Sequence, residues 1–150
     1  MKIVLQRVKQ AAVRVDNKII AQIGEGVCLL VGVERGDNEQ VIDYLARKVA
    51  ELRIFPDQQG KMNLSLLDLH KEVLIVSQFT LAASVKKGRR PSFDRAEKPA
   101  RAVEIYQKFV EKMRNFGLEV QTGRFQAVME VSLINDGPVT FILEKSVAGE

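Results

Sequence analysis

The chain has no tryptophan, one cysteine and one histidine among its 150 residues, and each scarcity closes off a chemistry. A single thiol cannot form a disulfide within the chain, which fits a reducing compartment. That thiol, Cys28, lies in the apolar run Val27-Cys28-Leu29-Leu30-Val31, where burial disfavours the thiolate a nucleophile needs. It reads as a structural residue. The lone His70 sits in Leu67-Asp68-Leu69-His70-Lys71 and reads as a surface-loop residue, and no Cys/His spacing suits zinc. There is no Gly-x-Ser-x-Gly elbow and no glycine-rich phosphate loop before a helix. No metal and no cofactor are expected. What is left is chemistry that needs mainly positioning and polarisation. Apolar runs fall far short of the roughly 20 residues that span a bilayer. The opening Met1-Lys2-Ile3-Val4-Leu5-Gln6-Arg7 lacks a signal-peptide core. A cytoplasmic protein with no membrane partner is expected.

What is present is the composition of one folded domain over residues 1–150. Hydrophobic residues make up 46% and charged residues of mixed sign 28%, so disorder is not indicated. A net charge of +4 permits an RNA partner without requiring one. No repeat, linker or low-complexity tract divides the chain.

Val4, Val8, Val13 and Val15 lie in stretches of strand character. Asp16-Asn17-Lys18 turns the chain into 19–23, and Gly24-Glu25-Gly26 turns it into the apolar strand 27–33. This opening reads as an antiparallel meander. A helix is predicted over 38–53, with Asp37 as N-cap, Gln40 completing a capping box, and Val41, Ile42, Leu45, Val49 and Leu52 on one face. Pro56 and Gly60 break the chain. Val73-Leu74-Ile75-Val76 suits a strand buried on both faces. Pro99 opens a second helix, Ala102, Val103, Tyr106, Phe109, Val110 and Met113 recur at helical spacing, and Gly117 suits its stop. Two strands close the chain: 125–133, with Phe125, Ala127, Met129, Val131 and Leu133 alternating onto one face, and 139–143. The fold class is α+β, with mostly antiparallel sheets and both helices packed on one side in α/β/β layers.

Three segments could carry chemistry. Ser77-Gln78-Phe79-Thr80 directly follows the apolar strand, where polar groups need partners or a ligand. A sharp departure there exposes backbone N–H groups able to stabilise an oxyanion; alternatively these residues only end the strand. Asn135-Asp136-Gly137-Pro138-Val139-Thr140 carries an Asp-Gly turn signal and a Gly-Pro bond open to the cis form. It reads either as a plain hairpin turn or as a site whose carbonyls face an ammonium. Lys86-Lys87-Gly88-Arg89-Arg90 puts four cations in five positions, as a phosphate contact or a solvated loop. Met129 and Phe125 read as core rather than as a base-stacking surface.

Taken together, these residues closely resemble the D-aminoacyl-tRNA deacylase family, in its bacterial and eukaryotic form. The match runs from Met1 to about Glu144. It includes the opening Met1 to Val8, Leu52-Arg53-Ile54-Phe55, Gly60-Lys61-Met62-Asn63, and Arg89-Arg90-Pro91-Ser92-Phe93. The two diagnostic motifs, Ser-Gln-Phe-Thr and Asn-x-Gly-Pro-x-Thr, stand at 77–80 and 135–140 without departure. The resemblance implies a homodimer that hydrolyses the ester joining a D-amino acid, or glycine, to the 3′-terminal adenosine of tRNA. It implies Ser77, Gln78, Phe79 and Thr80 at the catalytic centre. Asn135, Gly137, Pro138 and Thr140 are implied in chiral selection, through a cis Gly137-Pro138 element entering the partner subunit's site. The expected partner is aminoacylated tRNA, with Lys86, Lys87, Arg89 and Arg90 as its contacts, and not DNA. A covalent role for Thr80 competes with a water nucleophile; no base in the sequence is evidently placed to activate that hydroxyl.

Overall fold

The computed structural model describes residues 1–147. Strand β1 (Lys2–Val15) runs 14 residues. Asp16 and Asn17 then adopt φ of 51° and 65°, the left-handed pair that a tight turn between twisted strands requires. The chain returns as β2 (Lys18–Ile23) and continues into β3 (Gly26–Gly32). β2 pairs with Ala11–Val15 of β1, and β3 pairs with Lys2–Val8. The opening is therefore not the expected meander. β2 and β3 instead each pair with their own part of β1, which is long enough to serve both end to end.

Helix α1 (Glu39–Glu51) follows, with Val41, Ile42, Leu45, Ala46, Val49 and Ala50 buried. Its N-cap is Asn38, whose side chain accepts from the N–H groups of Gln40 and Val41. Asp37, the cap expected from the sequence, is engaged elsewhere. Its carboxylate accepts from the Met1 ammonium and from the Glu34 N–H, each at 2.8 Å. A buried carboxylate takes the strongest donors within reach, and the predicted capping box does not form. β4 (Phe55–Pro56) and β5 (Met62–Leu64) make a small separate hairpin. The one-turn helix α2 (Leu66–Leu69) carries a capping box between Ser65 and Asp68 and ends at His70. The lone histidine is thus an exposed helix terminus.

β6 (Glu72–Ser77) lies parallel to β3. Helix α3 (Pro99–Asn115) begins at Pro99 and stops before Gly117, whose φ is 84°. β7 (Val120–Thr122) pairs parallel with β6, and β8 (Glu130–Glu144) runs antiparallel along nearly all of β1. The main sheet thus has three antiparallel and two parallel pairings, and the fold is α+β. Among the described residues, no helix is long and apolar enough to cross a membrane.

The chain's end differs from the two strands expected. Residues 125–129 form a turn and irregular backbone, and β8 continues through 135–138 without reversing. The Asp-Gly signal there marks an excursion inside one strand. Asn135 pairs with Val8 and Thr140 with Gln6, so five residue steps of β8 face two of β1. The surplus bulges outward.

Two cores flank the sheet. On one face Ile3, Leu5, Leu29, Val31 and Ile75 pack against Leu45, Val49, Phe109 and Met113. On the other, Cys28, Leu74 and Val76 meet Val8, Val13 and Ile23. β1 feeds both. It turns Ile3 and Leu5 to the helices and Val8, Ala11 and Val13 to the second core. A strand can change faces only by losing register, and β1 does so against β8 on either side of Val8.

Two outcomes follow from this packing. Phe109 is wholly buried, so Phe109→Ala lowers the free energy of unfolding by about 3–5 kcal/mol, measured by urea titration at unchanged m-value. Burial pushes the Cys28 thiol up to about 12. The native protein therefore resists an aromatic disulfide reagent at pH 8, and one thiol per chain reacts once urea unfolds it.

Candidate active site

β6 ends with Ser77 opposite Val31, and the Gln78 N–H donates to the Val31 carbonyl at 2.7 Å. The backbone then leaves the sheet abruptly and winds into a 3-10 turn over Phe79–Ala82. The turn presses against β3 at Gly32. A Cβ there would stand 2.8 Å from Leu81 Cβ and 3.0 Å from the Gln78 carbonyl oxygen. Only glycine permits that approach.

The first N–H groups of a helical turn have no partner within it. Among the described residues, those of Phe79 and Thr80 find no acceptor elsewhere. Both residues are exposed. The turn therefore presents two adjacent free donors, suited to an oxyanion. The Gln78 side-chain amide donates to Thr80 Oγ1.

Beside the turn lies a cleft of about 700 Å³, walled by Ser77, Phe79, Phe93, Ala102, Phe125 and Met129 among others. The Phe79 and Phe93 rings sit 5.3 Å apart. Phe125 and Met129 are half-buried: they border the helix-side core and the second core respectively, not one strand face, and both line this cleft. Phe93 was legible only as part of a matched stretch. The basic loop springs from the same place. Ser84 and Ser92 exchange two backbone hydrogen bonds at its base, 2.7 and 2.8 Å. Between them Lys86, Lys87, Arg89 and Arg90 are exposed.

The 135–140 excursion is built differently. Asn135 ties it together: its amide donates to Thr140 Oγ1 at 2.9 Å, and its carbonyl accepts from the Val139 N–H at 2.6 Å. Beneath it Arg7, buried, donates to the Asp136 carbonyl at 3.0 Å and to the Ile54 carbonyl at 2.6 Å. The Asp136 carboxylate lies 3.5 Å from Arg7. Gly137 and Pro138 are exposed at the tip, joined by a cis peptide bond. Gly137 has φ of 146°, and a Cβ there would meet Val139 Cγ2 at 2.6 Å. Arg7 is a residue that motif reading missed. Local sequence offers little signal for it, since β1 also carries Lys2, Lys9 and Arg14; burial, which obliges a guanidinium to find partners, is what sets it apart.

One chain does not bring the two motifs together. Thr140 pairs with Gln6, Gln6 with Cys28 and Cys28 with Leu74. Thr140 and Ser77 thus stand three strand spacings and three residues apart, roughly 17 Å in a flat sheet. No group of three or more His, Cys, Asp or Glu side chains that could hold a metal occurs among the described residues.

Known proteins match this chain along its length. A family model described as D-Tyr-tRNA(Tyr) deacylase matches residues 4–144. A D-aminoacyl-tRNA deacylase of Geotalea uraniireducens is 56% identical over 96% of this chain and 93% of its own. That of Aquifex aeolicus is 52% identical over 96% and 97%. A solved structure described as a c-Myc DNA Unwinding Element Binding Protein superposes with a TM-score of 0.92 at 40% identity, covering 98% of this chain and all of that one. A probable eukaryotic D-amino acid tRNA deacylase shares the fold at a TM-score of 0.82 and 19% identity, over 95% and 97% of the two chains. With the family model covering both motifs and relatives above half identity over nearly the whole length, the chain belongs to the D-aminoacyl-tRNA deacylase family of hydrolases.

Proposed function

We propose that the chain works as a homodimer in the cytoplasm, cleaving D-amino acids and glycine from the 3′-terminal adenosine of tRNA at two sites, each built from both subunits. The observation that carries this reading is the pair of free N–H groups at Phe79 and Thr80, at the mouth of an apolar cleft, in a family of aminoacyl-tRNA deacylases. An aminoacyl ester is already activated, so stabilising the oxyanion supplies most of what its hydrolysis needs. Water attacks the carbonyl, oriented by the 2′-hydroxyl of the ribose. The alcohol leaves as the 3′-hydroxyl and the free amino acid departs. Thr80 is not the nucleophile on this reading. No general base is hydrogen-bonded to its hydroxyl among the described residues; its side-chain partner is the Gln78 amide, a donor.

Chiral selection falls to Gly137 and Pro138. They project from β8, yet lie too far from Ser77 to act in their own chain. A second copy resolves this. β8 runs 15 residues with only Val139 and Leu143 buried, and it exposes Ile134, Phe141 and Ile142 along the edge of the sheet. Such an edge invites a covering partner. Docked there, the tip of one subunit reaches the cleft of the other. Its carbonyls receive the α-ammonium, and its bulk occupies the space an L side chain requires. Glycine, with no side chain to clash, passes. The exposed Lys86, Lys87, Arg89 and Arg90 contact the tRNA backbone. DNA binding, raised by the name of one structural neighbour, makes a different forecast: duplex DNA would displace D-aminoacyl-tRNA as well as uncharged tRNA does.

Two measurements test the mechanism. Thr80→Ala retains near-normal turnover of D-tyrosyl-tRNA; complete loss in a folded dimer would favour covalent catalysis. Phe79→Ala removes a wall of the cleft, and Gly137→Ala forces the tip to move. Each alone loses most activity. Mixed one to one and allowed to exchange subunits, they recover activity toward about a quarter of wild type, because half the dimers are mixed and hold one intact site. No recovery, with exchange verified, overturns the cross-subunit site.

A further inference from the structure

A second depression, about 470 Å³ in volume, opens at the far end of the 79–82 turn. Ala82, Ala83 and Ser84 form one wall, so the depression starts where the turn with its free N–H groups ends. Four cations line it, Lys2, Lys86, Arg95 and Lys145, against two carboxylates, Glu34 and Glu144. The carboxylates orient the cations without cancelling them. Glu34 holds Arg95 at 3.4 Å, and Glu144 holds Lys2 at a loose 3.9 Å. The Lys145 ammonium rests over the exposed Tyr44 ring, 4.9 Å from its centre, an anchor that leaves its donors open to solvent. Lys86 has no carboxylate partner among the described residues, and Arg95 remains largely exposed.

We infer that this depression is a subsite for the phosphodiester backbone of the single-stranded tRNA 3′ end, immediately before the terminal adenosine. The inference rests on the deacylase reading and adds Lys2, Arg95 and Lys145 to it. The ribose carries the ester on its 3′ oxygen and the chain's last phosphate on its 5′ oxygen. With the ester at the Phe79 and Thr80 N–H groups, the base can lie in the apolar cleft on one side of the turn. The 5′-phosphate then leaves toward the far end of the turn, where the cationic depression begins. Flexible lysines and a carboxylate-held arginine grip phosphates without reading bases. A grip at this place serves every tRNA, because it touches only the backbone of the common end.

The test compares three D-tyrosyl esters, on adenosine, on a CCA trinucleotide and on full tRNA, using the wild type and the Arg95→Gln/Lys145→Gln double variant. The adenosine ester carries no phosphate, so the variant cleaves it at the wild-type rate. On the trinucleotide and on tRNA, kcat/KM falls about fivefold or more. The slope of log kcat/KM against log salt flattens by about 0.7 for each single-strand phosphate that the variant no longer neutralises. An equal fall on all three esters means that the side chains only support the fold, and overturns the inference. So does a fall on tRNA with none on the trinucleotide, which would move these cations to the duplex stem, and so does no fall on any ester. Failure of the deacylase reading itself has a different signature: the wild type then leaves every ester intact.

Discussion

β1 carries a constraint that the other elements accommodate. It must pair on both edges over 14 residues while its side chains serve two cores on opposite faces of the sheet. Alternation alone would serve both, but Ile3 and Leu5 face one core and Ala11 and Val13 the other, and with a side-chain period of two these odd-numbered residues can part only at an irregularity. The register therefore breaks around Val8, and the break lies beside Arg7. A guanidinium buried at a break costs several kcal/mol of desolvation unless its donors are met. Here they are met by the carbonyls of Asp136 and Ile54, one in the β8 excursion and one just before β4. The same irregularity that lets one strand build two cores holds the exposed Gly137-Pro138 tip in place.

The two motifs occupy mechanically different ground. The 77–80 segment hangs from a buried strand of the sheet, pinned through the Gln78 N–H and seated against Gly32. Its donors are backbone groups, so their positions follow from the sheet rather than from side-chain rotamers. The 135–140 tip is held by side chains, Asn135 within it and Arg7 beneath it. The turn with its backbone donors and the side-chain-braced tip can therefore be altered independently. On the proposed reading this separates rate from stereochemistry, with rate residing in the 79–82 turn and selection in the tip of the neighbouring subunit.

Much of this was legible in the residues, for identifiable reasons. Both long helices stood out because Val41, Ile42, Leu45 and Val49, and again Tyr106, Phe109, Val110 and Met113, repeat at a period that local sequence alone carries. Val73 to Val76 was readable as a doubly buried strand because Val73 and Ile75 pack into one core and Leu74 and Val76 into the other, which leaves no polar face. The order of β2, β1 and β3 was not readable, since it depends on the length of β1 and on a bulge that no local signal announces. Asp37 misled because a cap and a buried partner for an ammonium require the same short acid. The Asp-Gly-Pro segment misled for a related reason. Its turn chemistry is real, but whether a turn reverses a chain or bulges from a strand is decided by β1, more than a hundred residues earlier in the chain. The 77–80 motif was found as polar residues after a buried strand; the free N–H groups that give it meaning belong to the backbone and leave no compositional trace.

This also explains why the chain offers so little of the usual catalytic inventory. A reaction whose substrate is an activated ester gains little from a histidine or a nucleophilic serine, and a strong general nucleophile would threaten correctly charged L-aminoacyl-tRNA as much as the D form. Discrimination then has to be made in space rather than in reactivity. Space is set by rigid backbone: a 3-10 turn locked to β3 on one side, and a tip braced by a buried arginine on the other. On the proposed reading, the scarcity of reactive side chains is what allows geometry alone to decide which ester is cut.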